Sequence, residues 1–282
     1  MESIADMMER IGNDRMGMTE EVCYEHEIQA NGQVYVKEIK KVMFDGKVFC
    51  PLCERERTSR ELSEKETLKM ERANKRKKYN VFHDRNVLTD VNLLGSSFGN
   101  YEATEKEEVA NKEKAEKAFI QYREGKTFNV WFTGAPGVGK SHLAMSILRN
   151  LNETGNKNRS CLFVSVDSML MRIRESFSDK ESRFTEAYFV DLLSKVDFLV
   201  LDDLGAETGG SGTDKAATDF TMRILYAIAN GRRNKSTIIT TNLSSEELIK
   251  MYDPRLVSRL MGEMYAIHFK NTTDKRIKKL EF

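Results

Sequence analysis

A glycine-rich segment between two apolar runs constrains this chain more than any other feature. Residues 134–141 read GAPGVGKS, which matches the phosphate-binding pattern G-x-x-x-x-G-K-[ST]. The apolar run NVWF precedes it and SHLAMSILRN follows it, so the context predicts a loop between a buried strand and a helix. Backbone N–H groups in such a loop and at a helix N-terminus bind phosphate. The predicted ATP contacts are Gly134, Ala135, Pro136, Gly137, Val138, Gly139, Lys140, Ser141 and His142.

The chemistry of this loop assigns roles to its last residues. A lysine in this position reaches the β- and γ-phosphates of ATP, and the next hydroxyl binds Mg²⁺. We therefore expect Lys140 to contact the phosphates and Ser141 to be a magnesium ligand.

Polar residues end two further apolar runs. FLVLDD at 198–203 predicts a buried strand that ends in two carboxylates, of which Asp202 would hold Mg²⁺ and Asp203 would orient the attacking water. STIITTN ends at Asn242, whose amide would reach the γ-phosphate. The alternatives are structural: the acids would cap the next segment, and Asn242 would cap a helix, a role that suits Ser244 better.

Two arginines follow in the segment DPRLVSRL. Arg255 and Arg259 are four residues apart, which places them on one face of a helix. One hypothesis is that an arginine here acts in trans on the phosphates of a neighbouring subunit. The alternative is that both form surface salt bridges.

Alternation of apolar strands with amphipathic helices predicts an α/β fold, a parallel sheet with helices on both faces. The domains we expect are 1–55, an N-terminal module; 56–90, a charged linker helix; and 91–282, the nucleotide-binding domain. The expected strands are 128–132, 161–166, 197–202, 236–241 and 264–269, and the expected helices are 103–123, 140–153, 168–177, 182–195, 214–232 and 244–251.

Composition limits the location of the chain. Charged residues make up 32% of it, and the net charge is +1. No apolar run reaches the roughly 18 residues that cross a bilayer. We therefore expect a soluble cytoplasmic protein without a membrane partner.

Three of the four cysteines lie in the first 53 residues. Cys23 and His26 form one pair of ligands, and Cys50 and Cys53 form a second pair after 23 intervening residues. Four N and S ligands in two pairs are typical of structural zinc, so these residues predict a Zn²⁺ site with no open position for catalysis. The fourth cysteine, Cys161, stands in an apolar strand and is expected to pack in the core.

The rest of the N-terminal part predicts hairpins and helices. Asn31-Gly32 and Asp45-Gly46 are strong hairpin signals. Residues 3–12 have the periodicity of a short amphipathic helix rich in methionine. That helix would pack on its own domain or dock in the groove of a partner. The charged residues 54–79 predict an exposed helix that buries little.

The run VDSMLMRIRESF…LLSKVDFLVLDDLGAE…TTN…RLVSRLMG resembles the DnaC/DnaI-type bacterial replicative helicase loaders, which are AAA+ ATPases, over about residues 95–270. The resemblance implies a zinc module ahead of the ATPase. It also implies Lys140 and Ser141 for ATP and Mg²⁺, Asp202 for the metal and Asn242 as sensor, with Arg259 as the trans finger supported by Arg255.

The function implied by the resemblance is loading of a hexameric replicative DNA helicase onto single-stranded DNA at replication initiation, with self-association through the ATP sites. An IstB-type transposase-helper ATPase that binds duplex DNA is the alternative. A third hypothesis is a nucleotide-regulated adaptor with little hydrolysis.

The sequence departs from the AAA+ pattern in two places. Asp203 stands where most of these enzymes have glutamate, so water activation is expected to be slow. The sequence also stops soon after the last strand, so we expect no full helical lid, and Arg276 is a candidate for the lid arginine.

Residues 168–184 occupy the place where the resemblance implies an extra helix along a single-stranded DNA path. There Arg172, Arg174 and Arg183 would contact phosphates and Phe177 would stack on a base. An ordinary helix surface is the alternative.

Overall fold

The computed structural model describes residues 16–30, 32–209 and 216–276. The helix expected at 3–12 lies outside these residues. The chain divides into two compact units, with the boundary between Arg72 and Ala73. None of the helices in the described ranges is both long and apolar enough to cross a membrane.

The first unit contains an antiparallel sheet of three strands in the order β1-β2-β3. These strands are β1 (Met16–Ala30), β2 (Gln33–Phe44) and β3 (Lys47–Phe49). Asp45 and Gly46 connect β2 to β3 with φ values of 51° and 76°. Two positive φ angles in succession characterise the tight hairpin turn whose twist matches that of the strands. The predicted turn at Asp45-Gly46 is therefore confirmed.

A long charged helix, α1 (Pro51–Asp84), begins in the first unit and ends in the second. Pro51 occupies its first turn, where the missing N–H of proline leaves no hydrogen bond unmade. Among its residues, Phe82 is buried and most of the others are exposed. The segment 54–79 thus lies in an exposed helix, as its composition predicts.

The second unit contains a parallel sheet in the order β5-β6-β7-β4-β8. The parallel sheet and the helical layers confirm the predicted α/β class, which is that of AAA+ P-loop proteins. Its strands are β4 (Asn129–Gly134), β5 (Cys161–Ser165), β6 (Phe198–Leu204), β7 (Ser236–Thr241) and β8 (Met264–Phe269). Its helices are α2 (Lys106–Arg123), α3 (Lys140–Thr154), α4 (Val166–Glu175), α5 (Glu186–Lys195), α6 (Asp219–Gly231), α7 (Ser245–Met251) and α8 (Pro254–Leu260).

Side chains of the interior strand β4 alternate between two apolar clusters. Trp131 packs with the cluster that contains α4, α5 and α6 side chains, whereas Val130 and Phe132 pack with the cluster that contains α2 and α3 side chains. Successive strand residues point to opposite faces, so helices cover both faces of the sheet. After β8, the described residues 270–276 contain neither helix nor strand.

Several helices begin later than the sequence predicts, because a capping residue sets each start. Glu105 and Glu108 form a capping box ahead of α2, so that helix does not begin at 103. Thr185 accepts a hydrogen bond from the Tyr188 N–H, which starts α5 at 186 rather than 182. Thr218 caps α6 in the same way. Side-chain oxygens in these positions satisfy N–H groups that lack a partner inside the helix.

Arg232, directly after α6, joins three elements of the second unit. Its guanidinium donates to the carbonyl oxygens of Leu193 (2.7 Å), Val196 (2.9 Å) and Ser236, and to the Thr237 hydroxyl (2.9 Å). Burial lowers the pKa of Arg232 to about 9. These contacts hold the end of α5 against the start of β7.

We predict that Arg232→Ala lowers the free energy of unfolding by about 3 kcal/mol, because several buried carbonyl groups lose their donor. Urea denaturation followed by circular dichroism measures this change. The neighbouring Arg233 is exposed, so Arg233→Ala is the matched control, with an expected change within about 0.5 kcal/mol. Equal stability of both variants would contradict the structural role.

Candidate functional site

A cavity of about 480 Å³ lies at the carboxyl ends of the central strands β4, β6 and β7. The carboxyl edge of a parallel sheet is the usual location of ligand sites in this fold class. Of the residues expected to contact ATP and Mg²⁺, the cavity is lined by Pro136, Gly137, Gly139, Lys140, Ser141, His142, Asp202, Asp203 and Asn242. The structure therefore brings the loop, both carboxylates and the amide to one place.

Three predicted ATP-contact residues do not line this cavity. Val138 is fully buried and packs in the core cluster of α2 and α3. Gly134 and Ala135 line a neighbouring cavity of about 390 Å³. A Cβ on Gly134, whose φ is 148°, would lie 2.6 Å from the Phe269 carbonyl oxygen, so glycine is needed where β4 leaves the sheet beside β8.

The Lys140 ammonium is the central charge of the cavity. It donates to the carbonyl oxygens of Gly134 (2.9 Å) and Ala135 (2.7 Å) and to Asn242 Oδ1 (2.7 Å). Burial lowers its pKa to about 8, against the opposing effect of the carboxylates of Asp203 and Asp202. The lysine is thus held by weak neutral acceptors, which the more strongly accepting oxygens of a phosphate could replace.

A bulge in β6 directs both carboxylates to the cavity. Leu201 pairs with Ile239 and Leu204 pairs with Thr241, so β6 has one residue more than β7 between these pairs. Asp203 has a φ of 54°, in the left-handed region. Successive residues of a regular strand point to opposite faces, whereas the extra residue of the bulge allows Asp202 and Asp203 to line the same cavity.

Thr240 on β7 links the Asp202 carboxylate to the Asp203 backbone, and sequence reasoning missed it. Its hydroxyl donates to Asp202 Oδ1 (2.6 Å) and accepts from the Asp203 N–H (2.9 Å). Asp202 also accepts from the Ser141 hydroxyl. Burial and the charge of Asp203 raise the pKa of Asp202 to about 6. Ser141 and Asp202 are in contact with each other, and both carry oxygen atoms, which are the ligands that Mg²⁺ prefers.

The wall opposite the strands consists of residues that no motif marks. They are Thr89, Asp90, Leu93, Asn100, Tyr101, Glu102, Lys275 and Arg276. Tyr101 packs on the loop so closely that a Cβ on Gly139 would lie 2.7 Å from its ring. The His142 ring lies edge-on to Tyr101 of this wall, and its Nε2 lies 3.0 Å from the carbonyl oxygen of Ser97, which is outside the cavity lining. Segments 89–102 and 275–276 lack a periodic pattern, so sequence offers no signal for them apart from Arg276.

The two arginines of α8 lie away from this cavity. Arg259 lines a separate cavity of about 230 Å³ that also includes Asn129 and Thr237, residues near the amino ends of β4 and β7. Its guanidinium donates to Asn230 Oδ1 (2.8 Å) and to the Arg255 carbonyl oxygen (2.9 Å). Arg255 is exposed and pairs with Asp253 at 3.0 Å.

The basic and aromatic residues expected near DNA gather around two phenylalanines. The guanidinium groups of Arg172 and Arg183 lie 5.2 and 4.9 Å from the ring centre of Phe184. Arg174 lies 5.4 Å from the ring centre of Phe220, which Phe177 contacts edge-on. Phe177 is 66% exposed. We call these two groups of residues together the arginine–aromatic surface.

Cys23, His26, Cys50 and Cys53 come together in the first unit, with their ligand atoms within 4.8 Å of one another. His26 Nε2 lies 3.2 Å from the sulfur atoms of Cys50 and Cys53, and the Cys23 and Cys53 sulfurs are 3.6 Å apart. Tetrahedral zinc with Zn–S bonds near 2.3 Å separates its sulfur ligands by about 3.8 Å. The four side chains therefore fit a single metal ion.

A second bulge creates half of this group. Cys23 pairs with Ile39 and His26 pairs with Lys37, so β1 has one extra residue between them. Residues three apart on a regular strand face opposite sides, and the bulge brings both to one side. Cys50 and Cys53 stand at the start of α1. Burial raises the pKa of Cys50, but the N–H groups of Cys53 and Leu52 and the His26 ring outweigh it and lower the pKa to about 7.

Glu56 supports the histidine of this group. Its Oε1 lies 3.6 Å from His26 Nδ1, the ring nitrogen that faces away from the cysteines. A carboxylate beside the second ring nitrogen orients a metal-binding histidine. The sequence does not distinguish Glu56 from the other glutamates of this charged helix.

Several curated relatives of this chain are named helicase loaders. The chain is 28% identical over 166 residues to "Replicative helicase loader DnaC" of Escherichia coli K12, which covers 58% of this chain and 62% of the relative. It is 29% identical over 172 residues to the protein of the same name from Buchnera aphidicola subsp. Acyrthosiphon pisum, covering 59% and 63%. The chain thus spans less than two thirds of the length of these relatives.

Solved structures share the fold of this chain over about two thirds of its length. A DnaC helicase loader has a TM-score of 0.52 at 22% identity, covering 64% of this chain and all of that one. DnaI has a TM-score of 0.51 at 22% identity, covering 65% and 95%. The family described as IstB-like ATP binding protein matches residues 55–271. Since this match extends over more than half of the sequence, the chain belongs to the family of IstB-like ATP-binding proteins.

Proposed function

We propose that this protein is an ATP-dependent loader that binds a hexameric replicative DNA helicase and delivers it onto single-stranded DNA. The observation that carries the proposal is the cavity that joins a phosphate-binding loop to Ser141, Asp202 and Asn242. Membership of an ATP-binding family and similarity to proteins named replicative helicase loaders support it.

ATP binding is assigned to Lys140 and Ser141. On binding, the Lys140 ammonium exchanges the carbonyl oxygens of Gly134 and Ala135 for phosphate oxygens, which are stronger acceptors because they are charged. Ser141 and Asp202 would hold Mg²⁺, which neutralises the charge that develops on the phosphates. Asn242 Oδ1 already contacts Lys140, which supports the proposal that this amide is the sensor of the γ-phosphate.

Hydrolysis is assigned to Asp203. Its left-handed backbone and the hydrogen bond from its N–H to Thr240 fix its position beside Asp202. Asp203 orients the attacking water, and its side chain is one methylene shorter than the usual glutamate. The expected turnover is slow, which suits a switch between helicase-bound and released states.

Self-association through the ATP sites is assigned to Arg259. This residue lies near the amino ends of the strands, whereas the phosphate-binding loop of the same chain lies at their carboxyl ends. An arginine placed in this way can serve the phosphates of a neighbouring subunit. Arg255, one turn earlier, supports it through its carbonyl group.

Single-stranded DNA is assigned to the arginine–aromatic surface. Arg172, Arg174 and Arg183 would contact phosphates, and the exposed Phe177 would stack on a base. Phe220 and Arg223 extend this surface, since the Arg223 guanidinium lies 5.8 Å from the Phe220 ring centre.

Structural zinc and helicase binding are assigned to the first unit. A ligand set of three cysteines and one histidine leaves no open position on the metal, so the ion would hold β1 against the start of α1. Exposed apolar side chains on the strands, among them Tyr24, Val34 and Val36, supply a contact surface for the helicase.

The second candidate function is a transposase-helper ATPase that binds duplex DNA, which the name of the matched family favours. The group of Cys23, His26, Cys50 and Cys53 favours the loader instead, because the usual helper lacks a zinc module. A nucleotide-regulated adaptor with little hydrolysis differs from both in showing no ATP turnover with or without DNA.

The first test of function is affinity capture from a bacterial lysate in the presence of ATP. We predict recovery of a hexameric replicative helicase, identified by mass spectrometry, because the N-terminal unit binds it. The Cys50→Ser variant is the control and should recover much less, since its contact surface loses the metal. Recovery of a transposase, with no helicase, would favour the second candidate.

A second prediction concerns the metal. Purified protein should contain about one zinc ion per chain by elemental analysis, because the four ligands fit one tetrahedral ion. Cys50→Ser should lose the ion and unfold the first unit, which has little apolar core of its own. Cys161→Ser is the control and should keep the metal, because Cys161 lies on β5. A metal-free protein with a folded N-terminal sheet would contradict the assignment.

A third prediction concerns the subunit interface. Arg259→Ala should bind ATP with normal affinity but lose hydrolysis, whereas Lys140→Ala should lose tight ATP binding. Mixing the two should restore part of the turnover, because Lys140→Ala supplies Arg259 to a neighbour with a working loop. The assay measures phosphate release with helicase and single-stranded DNA present.

The control for this experiment is a mixture of Lys140→Ala with Asp203→Ala. Lys140→Ala does not bind ATP tightly and Asp203→Ala hydrolyses it more slowly, so the mixture should gain no activity over Asp203→Ala alone. If the mixture with Arg259→Ala also gains none, Arg259 does not act in trans.

A further inference from the structure

Residues 270–276, which follow β8, form a segment that we call the strap. One carboxylate fixes its first half. Glu107 on α2 accepts from the N–H groups of Lys270 (2.9 Å), Asn271 (2.9 Å) and Thr272 (2.8 Å), and from the Thr272 hydroxyl (2.6 Å). Three successive N–H groups that converge on one anion resemble a helix N-terminus with its anion bound. The strap backbone is therefore shaped around the Glu107 side chain.

Lys275 fixes the second half of the strap. Its ammonium lies 3.1 Å from Glu108, the buried neighbour of Glu107. The same ammonium lies 4.3 Å from the ring centre of Tyr101, which packs on the phosphate-binding loop. Two successive carboxylates of α2 thus hold the strap at both ends.

The strap contacts the phosphate-binding loop directly. The Lys275 N–H donates to the Gly137 carbonyl oxygen at 3.1 Å. A Cβ on Gly137 would lie 1.8 Å from Asp274 Oδ1. Any side chain at position 137 would therefore clash with the strap. Because the peptide unit is planar and trans, holding the Gly137 carbonyl directs the Val138 N–H to the opposite side. N–H groups of this loop are the ones that bind phosphate.

We propose that Glu107 is a positioning residue for the triphosphate of the bound nucleotide, which holds the strap so that the Gly137–Val138 peptide is oriented for phosphate. This inference rests on the ATP binding proposed above and adds residues outside the motifs to that site. Lys275 and Arg276 line the nucleotide cavity, so the strap also forms part of its wall. Arg276 is held there by Asp274, with Nε–Oδ1 and Nη2–Oδ2 distances of 3.0 and 2.9 Å.

The ionisation of Glu107 agrees with this role. Burial raises the pKa of Glu107, but the Thr272 hydroxyl and the three N–H groups outweigh it and lower the pKa to about 2. The side chain is therefore a carboxylate at neutral pH, and both its oxygens accept hydrogen bonds. An amide in the same place has a single acceptor oxygen and presents its NH₂ group to one N–H of the strap.

The test compares Glu107→Gln with Glu113→Gln, a change of the same kind at an exposed residue of the same helix. We expect Glu107→Gln to weaken binding of a fluorescent ATP analogue about 10-fold, which is the effect of losing one charge-assisted hydrogen bond. The KM for ATP should rise by about the same factor, and kcat should change less than about 2-fold. The reason is that the variant weakens nucleotide binding but leaves the groups that react with the phosphates in place. Glu113→Gln should bind as the wild type does.

A second readout follows the strap itself. Trypsin cleaves after lysine and arginine, and Lys270, Lys275 and Arg276 lie in the strap. Glu107→Gln should be cut there faster than the wild type without nucleotide, as identified by mass spectrometry of the fragments. Thr272→Val removes the hydroxyl bond to Glu107 but keeps the N–H bonds, and it should show an intermediate rate and affinity.

The outcomes separate this inference from the proposed function. If the wild type fails to bind the ATP analogue, the proposed function is wrong. If the wild type binds it, Lys140→Ala does not, and Glu107→Gln binds as tightly as the wild type, the inference alone is wrong. A lower midpoint of thermal unfolding without nucleotide, at unchanged KM, would show that Glu107 only stabilises the fold and would likewise overturn the inference.

Discussion

The nucleotide cavity depends on the hydrogen bonds that the buried ammonium group of Lys140 donates to the surrounding strand ends. This ammonium joins the end of β4 to Asn242 after β7, and the carboxylates at the end of β6 compensate part of its burial. Burying this charge without hydrogen-bond acceptors would cost a large free energy of desolvation. The carboxyl ends of three parallel strands therefore have to supply acceptors at one point. This requirement explains why polar residues end strands that are otherwise apolar and why Thr240 and Ser141 bond to Asp202.

The same backbone device, one extra residue in a strand, creates both candidate sites. In β6 it lets Asp202 and Asp203 line one cavity, and in β1 it lets Cys23 and His26 face one metal position. Neither pair could converge in a regular strand, because residues one or three apart point to opposite faces. Bulges are enriched where a strand has to re-aim a side chain. The spacing of the residues in the sequence is informative only when the bulge is included, and the sequence does not reveal the bulge.

Sequence reasoning predicted the features of this fold that arise from local patterns. Alternating apolar strands and helices predicted the parallel sheet, and the turn at Asp45-Gly46 and the grouping of the four metal-ligand candidates were also predicted. Helix starts were less accurate, because Thr185 and Thr218 act as caps only once the preceding chain is placed. Tyr101, Thr240 and Glu107 were missed, since their contacts join residues far apart in the chain. The roles of the site residues remain proposals.

The direction of the strands separates the two halves of the proposed catalytic apparatus. The nucleotide cavity lies at the carboxyl ends of β4 and β7, and Arg259 lies near their amino ends. A strand of six residues such as β4 is about 17 Å long, which exceeds the reach of an arginine side chain. Arg259 cannot approach the phosphates of its own chain while it remains bonded to Asn230 and packed on Tyr226. If Arg259 acts on a nucleotide at all, that nucleotide belongs to another subunit. Hydrolysis would then require association of the subunits and not ATP binding alone.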